Sequence, residues 1–104
     1  MTDPNCIFCK IISGEVPTHP TYENEFVFAF RDIKPVAPGH TLVIPKEHYQ
    51  WFYEVPAETA NEWFGAAQML AVKLKDDMGA DYVEFKIVGI DVPHAHIHLI
   101  PRKS

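Results

Sequence analysis

The sequence lacks both the long apolar runs of membrane proteins and the excess of positive charge of nucleic-acid-binding proteins. None of its apolar stretches approaches the roughly 20 residues that a transmembrane helix needs. Lysine and arginine together number 9 against 14 aspartates and glutamates, which gives a formal net charge of −5. Binding to a nucleic-acid backbone depends on clustered basic side chains that displace counterions. We therefore expect no membrane segment and no nucleic-acid polymer as a partner.

The chain is also short, poor in cysteine and without a recognisable secretory signal. Its 104 residues are enough for one domain, so we expect residues 1–104 to form a single domain. The first five residues have neither the basic start nor the apolar core of a signal peptide, which predicts a cytoplasmic protein. Only two cysteines occur, Cys6 and Cys9. In a reducing cytoplasm a Cys-x-x-Cys pair is more often a metal site or a redox pair than a structural disulfide.

The spacing of apolar residues predicts an α+β fold. Apolar side chains at three- and four-residue steps indicate a short N-terminal helix over residues 6–13 and one long amphipathic helix between Pro56 and Met78. Runs of β-branched and aromatic residues predict five strands, at residues 22–23, 26–30, 41–44, 82–88 and 94–100. This order is typical of a mainly antiparallel sheet with the long helix covering one face.

Three histidines alternate with apolar residues near the end of the chain. In a strand, His94, His96 and His98 would share one face because successive side chains point to opposite faces. One interpretation is a solvated polar face, although such a face more commonly mixes Thr, Lys, Glu and Ser. A second is that all three imidazoles bind one metal ion. A third is that one imidazole is a nucleophile, neutral near pH 7, while its neighbours orient it and balance charge.

The segment His94-Ala95-His96-Ile97-His98-Leu99-Ile100 resembles the signature of the histidine-triad (HIT) superfamily. Three further segments, at residues 6–12, 30–33 and 39–48, are similar to the corresponding blocks of bacterial Hint-type members and occur in the same order. The resemblance implies the HIT-like fold and a homodimer. It also implies a hydrolase or transferase that attacks the α-phosphate of a purine nucleoside phosphoramidate or related conjugate and forms a nucleotidyl-histidine intermediate. The alternative is a nucleotide-binding or sensing module with little turnover.

The resemblance implies a role for each of three histidines. His96, the central member of the triad, would be the nucleophile, and His98 would contact the phosphate and the leaving-group oxygen. His40 matches a family histidine outside the triad and would orient the cluster. A nucleophilic imidazole needs one free ring nitrogen, so its other N–H must be held by an acceptor such as a backbone carbonyl.

The resemblance also implies a pocket for an AMP-like nucleotide. Its apolar members would sandwich the base: Ile7, Phe8, Ile11, Phe30 and Ile33. Taken singly, each of these residues is also typical of an ordinary core. Asp32 would bind the ribose, because a carboxylate can accept hydrogen bonds from two vicinal hydroxyls, and His98 would contact the phosphate.

Cys6, Cys9, His48 and His94 offer two thiolates and two imidazoles, a donor set that suits tetrahedral zinc. Spacing alone leaves open two free thiols, whereas a thioredoxin-like redox role is disfavoured because no βαβ pattern surrounds the cysteines. The resemblance implies zinc, because several bacterial members and the related galactose phosphate uridylyltransferases have a similar ligand set. Four protein ligands leave no open position for substrate, so the ion would be structural. It would fix His94 and, through the same strand, His96.

Two further expectations concern the dimer and the loop before the triad. Trp63 and Phe64 are candidates for the dimer contact, although either could instead be an ordinary core residue.

Many family members carry an asparagine and a longer Gly-rich, Gln-Ser-type loop that contacts the phosphate, whereas residues 88–93 here read Val-Gly-Ile-Asp-Val-Pro. Several polar phosphate contacts are therefore missing, and the resemblance does not specify the leaving group.

Overall fold

A five-stranded antiparallel sheet lies at the centre of the computed structural model, which describes residues 3–104. In chain order the elements are helix α1 at Ile7–Ile12, strands β1 at Pro20–Glu23, β2 at Val27–Arg31 and β3 at Thr41–Pro45, helix α2 at Ala57–Asp77, and strands β4 at Tyr82–Ile87 and β5 at Ile97–Arg102. The strands are ordered β1-β2-β3-β5-β4, and every neighbouring pair is antiparallel. The predicted α+β fold, with one short N-terminal helix and one long helix, is confirmed.

Helix α2 begins and ends within one residue of its predicted bounds. Pro56 precedes its first turn, and Gly79 follows its C-cap at a φ of +60°, a conformation that glycine adopts without a Cβ clash. Trp63 on its inner face is 0% exposed and donates its indole N–H to the Val43 carbonyl at 2.8 Å, so it is a core residue and not a dimer contact. Phe64 is 41% exposed. No helix within residues 3–104 is both long and apolar enough to cross a bilayer.

Each face of the sheet packs in its own apolar cluster. One face packs against α2 in a cluster that includes Val27, Ala29, Val43, Ile97, Leu99, Trp63, Ala67, Leu70 and Leu74. The opposite face packs beneath α1 in a second cluster, formed by Cys6, Phe8, Cys9, Phe28, Phe30, Leu42 and Ile44. The two sets are separate because alternate side chains of each strand point to opposite faces.

Strand β5 begins three residues later than predicted. We expected it to start at His94, but its ladder starts at Ile97. Pro45 at the end of β3 has no N–H with which to extend the ladder, and its carbonyl accepts the ring N–H of His94 at 2.8 Å instead. The histidines still lie on the α1 side of the sheet, because Phe8 contacts the rings of His94 and His96 at centroid distances of 5.8 and 5.1 Å.

Candidate active site and metal centre

Four sulfur and nitrogen donor atoms meet at the N-terminus of α1. Cys6 is the N-cap residue of α1, and Cys9 lies one turn later; both are buried. The Cys6 Sγ lies 3.3 Å from Nδ1 of His94, while the Cys9 Sγ lies 3.4 Å from Nδ1 of His48 and 3.6 Å from Nδ1 of His94. All four donor atoms lie within 4.8 Å of one another. The structure thus brings together every residue of the predicted metal set.

The four donors fit a tetrahedral zinc ion. With Zn–S of about 2.3 Å and Zn–N of about 2.0 Å, ligand atoms of a tetrahedron lie roughly 3.3–3.8 Å apart, which includes the measured S···N distances of 3.3, 3.4 and 3.6 Å. The Nε2–H of His94 donates to the Pro45 carbonyl, so its Nδ1 lone pair is available to a metal. Burial lowers the pKa of His94 to about 4, which keeps the ring neutral, as a metal ligand must be. The backbone N–H groups of Asp3 and Cys9 donate to the sulfurs of Cys9 and Cys6, at 3.5 and 3.4 Å.

His96 presents one free ring nitrogen. Its Nδ1 lies 2.7 Å from the His94 carbonyl oxygen and must donate to it, because a carbonyl can only accept. The neutral ring therefore has its lone pair on Nε2. The side chain is 3% exposed, and burial lowers the pKa of His96 below its usual range. A neutral ring with an unprotonated Nε2 is the form that a nucleophilic imidazole requires.

His40 and His98 are linked by hydrogen bonds that determine where each ring carries its proton. The Val36 N–H donates to Nδ1 of His40 at 3.2 Å, so neutral His40 is protonated on Nε2. That Nε2 lies 3.0 Å from Nδ1 of His98 and donates to it, so neutral His98 is also protonated on Nε2. Burial lowers the pKa of both rings, and with the nearby His96 and His40 it lowers the pKa of His98 to about 4. His98 therefore offers an N–H donor in the same cluster as the free nitrogen of His96, at a ring-centroid distance of 4.8 Å.

Two cavities share the side chains of His96 and His98 in their walls. The larger has a volume of about 490 Å³ and a mainly apolar wall. That wall includes every residue predicted to contact the base, namely Ile7, Phe8, Ile11, Phe30 and Ile33. The smaller cavity has a volume of about 280 Å³, and its wall adds His40 and Lys86, while Lys34 lines both cavities. A ligand with an apolar end and a charged end could therefore occupy both cavities, with its middle part beside His96 and His98.

Asp32 lies where the apolar wall meets the histidine cluster. It lines both cavities, its Oδ1 accepts the Lys34 N–H at 2.9 Å, and its Oδ2 lies 3.6 Å from Nε2 of His40. The side chain is 20% exposed, so part of the carboxylate remains accessible. A carboxylate here can accept hydrogen bonds from the hydroxyl groups of a ligand whose apolar part fills the larger cavity.

Most of the chain matches one known domain, since the HIT domain covers residues 13–104. The chain belongs to the HIT family. Protein hit of Bacillus subtilis (strain 168) is 42% identical over 110 residues, which cover 94% of this chain and 71% of that protein. Adenosine 5′-monophosphoramidase HNT1 of Saccharomyces cerevisiae is 39% identical over 103 residues, 98% of this chain and 65% of HNT1. Adenylylsulfatase HINT3 of Arabidopsis thaliana is 33% identical over 105 residues, 96% of this chain and 53% of HINT3.

Solved structures of HIT proteins share this fold over nearly the whole chain. A Hit-like protein from Bartonella henselae has a TM-score of 0.93 at 38% identity and covers 100% of this chain and 84% of its own. A zinc-bound histidine triad family protein from Mycobacterium smegmatis has a TM-score of 0.88 at 34% identity, with 96% of this chain and 76% of its own covered. The predicted HIT-like fold is therefore confirmed.

Several residues of the two cavity walls were not predicted from the sequence. The cavity walls also contain Val16, Thr18, Lys34, Lys86 and Asp91. Lys86 lies in β4 directly opposite His98 of β5, a pairing that depends on the register between these two strands. Lys34 could have been found, because it directly follows the predicted segment 30–33.

Proposed function

We propose that this HIT protein hydrolyses nucleotide conjugates at the α-phosphate through a nucleotidyl-histidine intermediate, with a purine nucleoside phosphoramidate as the reference substrate. One observation carries the proposal: His96 has a free Nε2 and His98 an Nε2–H donor where two cavities meet. The relatives named adenosine 5′-monophosphoramidase and adenylylsulfatase support a nucleotide hydrolase.

In this proposal the nucleoside occupies the larger cavity. The base packs against Phe8, Phe30 and the apolar side chains of α1, which removes its faces from water. The ribose hydroxyls donate to Asp32, which lines both cavities. The α-phosphate then lies at His96 and His98, because the sugar separates it from the base and these two histidines line both cavities.

The chemistry follows from the two ring nitrogens. Nε2 of His96 attacks the α-phosphorus with its lone pair and a P–N bond forms, while the bond to the leaving group breaks and an amine leaving group takes the electron pair and gains a proton from solvent. The Nε2–H of His98 donates to the oxygens on which negative charge increases, an effect worth about 10²–10³ in rate for a well-placed donor. Water then attacks the phosphorus and loses a proton to solvent, the P–N bond to His96 breaks with its electron pair returning to Nε2, and the nucleoside monophosphate is released.

We also propose that Cys6, Cys9, His48 and His94 bind one structural zinc ion. The donor distances, the His94 proton on Nε2 and the zinc-bound M. smegmatis relative support this site. An ion with four protein ligands supplies rigidity and not catalysis. The ion would fix the position of His94, and the backbone carbonyl of His94 is the acceptor that orients the His96 ring.

We also propose a homodimer whose interface includes helix α2 and the edge strand β4. Strand β4 is an edge strand, and edge strands pair readily with a second chain. Phe64 on α2 contacts Phe85 on β4 at a centroid distance of 6.2 Å, and the two side chains are 41% and 52% exposed. Tyr82 on the same strand is 50% exposed. A second copy would remove these aromatic surfaces from water.

Turnover of adenosine 5′-phosphoramidate by the purified protein tests the proposed reaction. We expect release of AMP by the wild-type protein and a loss of several orders of magnitude in His96→Ala. The exposed His19, which lines neither cavity, provides the matched control His19→Ala, which should retain wild-type turnover. Wild-type turnover by His96→Ala would refute the proposal. Binding of AMP without any turnover by the wild-type protein would instead support a nucleotide-binding module.

A further inference from the structure

The smaller cavity contains two cationic side chains that the proposed reaction does not use. In the β4–β5 ladder Lys86 lies directly opposite His98, so the two side chains leave the same face of the sheet with Cβ atoms about 5 Å apart. Lys34, in the segment after β2, lines both cavities, whereas Lys86 lines the smaller one alone. Neither lysine forms an ion pair with any residue between 3 and 104, whereas other lysines of the chain pair with carboxylates: Lys10, Lys46 and Lys73.

The location of this cavity fits the leaving group. If the nucleoside fills the larger cavity, the α-phosphate lies at His96 and His98, which line both cavities. The group released from the phosphorus then occupies the smaller cavity, beside the ammonium groups of Lys34 and Lys86. Among the residues that the structure describes, Lys34 and Lys86 are the only lysines or arginines in the wall of the smaller cavity.

Resting on the proposed function, we propose that Lys86 and Lys34 make this protein selective for nucleotide conjugates whose leaving group is an oxyanion such as sulfate or phosphate. When His96 attacks a nucleoside 5′-phosphosulfate, the bond from the α-phosphorus to the bridging oxygen breaks, and sulfate departs as a dianion with the electron pair. No proton is needed, whereas an amine leaving group must gain one. Charge on the departing oxygen increases in the transition state, so an ammonium beside it lowers the barrier and does not merely strengthen ground-state binding.

Asp91 carries a charge opposite to that of the two lysines, so its substitution should have the opposite effect on release of an anionic leaving group. It lines both cavities and lies in the short loop before the triad. A carboxylate there repels an anionic leaving group, so neutralising Asp91 should favour oxyanion release while neutralising either lysine should disfavour it. A purely structural role for these three exposed positions would not give effects of opposite sign.

The test compares kcat/KM for adenosine 5′-phosphosulfate and adenosine 5′-phosphoramidate, which share the nucleoside and differ in the leaving group. We expect the wild-type protein to prefer the phosphosulfate. The ratio of phosphosulfate to phosphoramidate kcat/KM should fall about tenfold in Lys86→Gln, fall further when Lys34→Gln is added, and recover in Lys86→Arg. The ratio should rise in Asp91→Asn. Lys73→Gln, on α2 in an ion pair with Asp77 at 3.2 Å and outside both cavities, should leave it unchanged.

Two outcomes separate this inference from the function on which it rests. If the phosphoramidate is hydrolysed but the ratio is the same in wild type, Lys86→Gln and Asp91→Asn, the lysine subsite is refuted while the hydrolase stands. The same conclusion follows if the wild-type protein prefers the phosphoramidate. If neither substrate is hydrolysed, the proposed function fails and the inference fails with it.

Discussion

Replacing His40 with alanine should move the proton of His98 from one ring nitrogen to the other. His40 donates to Nδ1 of His98 at 3.0 Å and so requires the Nε2–H form of that ring. Asp32 belongs to the same group, with its carboxylate oxygen and the two imidazole nitrogens all within 4.8 Å. Without His40, the Asp32 carboxylate is an alternative hydrogen-bond acceptor close to Nδ1 of His98. It would accept a hydrogen bond from an Nδ1–H, which favours the neutral tautomer that has no proton on Nε2.

The size of the effect follows from the two competing hydrogen bonds. The bond between neutral rings contributes about 0.5–1.5 kcal/mol net, whereas a bond to a charged acceptor contributes about 1.5–3 kcal/mol. Losing the first and gaining the second can reverse the tautomer preference of His98. Because each 1.36 kcal/mol is about a factor of ten in rate, we expect kcat on adenosine 5′-phosphoramidate to fall about tenfold. His40→Gln should recover part of the loss, because its amide N–H can donate to the same nitrogen.

Long-range ¹H–¹⁵N correlation spectra of the imidazole rings measure these protons directly. In the wild-type protein we expect His96 protonated on Nδ1, and His40 and His98 protonated on Nε2. His40→Ala should show His98 protonated on Nδ1, and His40→Gln should show the wild-type form. A wild-type spectrum with the His98 proton on Nδ1 would refute the hydrogen-bond chain from which the donor role was derived.

Three further predictions concern the metal, the ribose and the dimer. Cys9→Ser should lower zinc content from about one ion per chain and lower Tm by roughly 10 °C, and elemental analysis showing no zinc in chelator-free wild-type protein would contradict the site. Asp32→Ala should weaken AMP binding by about 10- to 100-fold but binding of 2′,3′-dideoxy-AMP far less, and calorimetry giving equal losses would mean that Asp32 does not recognise the sugar. Phe64→Glu with Phe85→Glu should convert a dimer into a monomer, and sedimentation of the wild-type protein as a monomer at micromolar concentration would refute the interface.

Local signals predicted the helices because apolar spacing depends on residues close together in sequence, whereas the metal set, whose ligands are scattered along the chain, rested on donor types and on the family resemblance. The bounds of α2 follow from apolar spacing between Pro56 and Gly79. Cys6 and Cys9 lie one turn apart in the short helix, so a common ligand for both follows from helical geometry. The same rule indicated that Trp63 faces inward or contacts a partner, but not that its indole N–H reaches Val43 of β3.

Features that depend on the register between paired strands could not be predicted in this way. The start of β5 at Ile97 is determined by Pro45 of β3. Pro45 has no N–H, and its carbonyl accepts a hydrogen bond from the His94 ring, so the ladder does not extend to His96. The position of Lys86 opposite His98 depends on the β4–β5 register. Strand β4 does not alternate cleanly between buried and exposed residues, so its sequence pattern does not determine which residues face the active site.

The central claim is that Nε2 of His96 forms a covalent bond to phosphorus, and peptide mapping by mass spectrometry tests it most directly. The purified protein would be mixed with an adenosine 5′-phosphoryl substrate bearing a good leaving group, quenched under basic conditions within the first turnovers, and digested. We expect the mass of one adenylyl group on the peptide that contains His96, an adduct that is lost in acid, retained in His19→Ala and absent in His96→Ala. An adduct located on His40 or His98, or the same adduct in His96→Ala, would contradict the account.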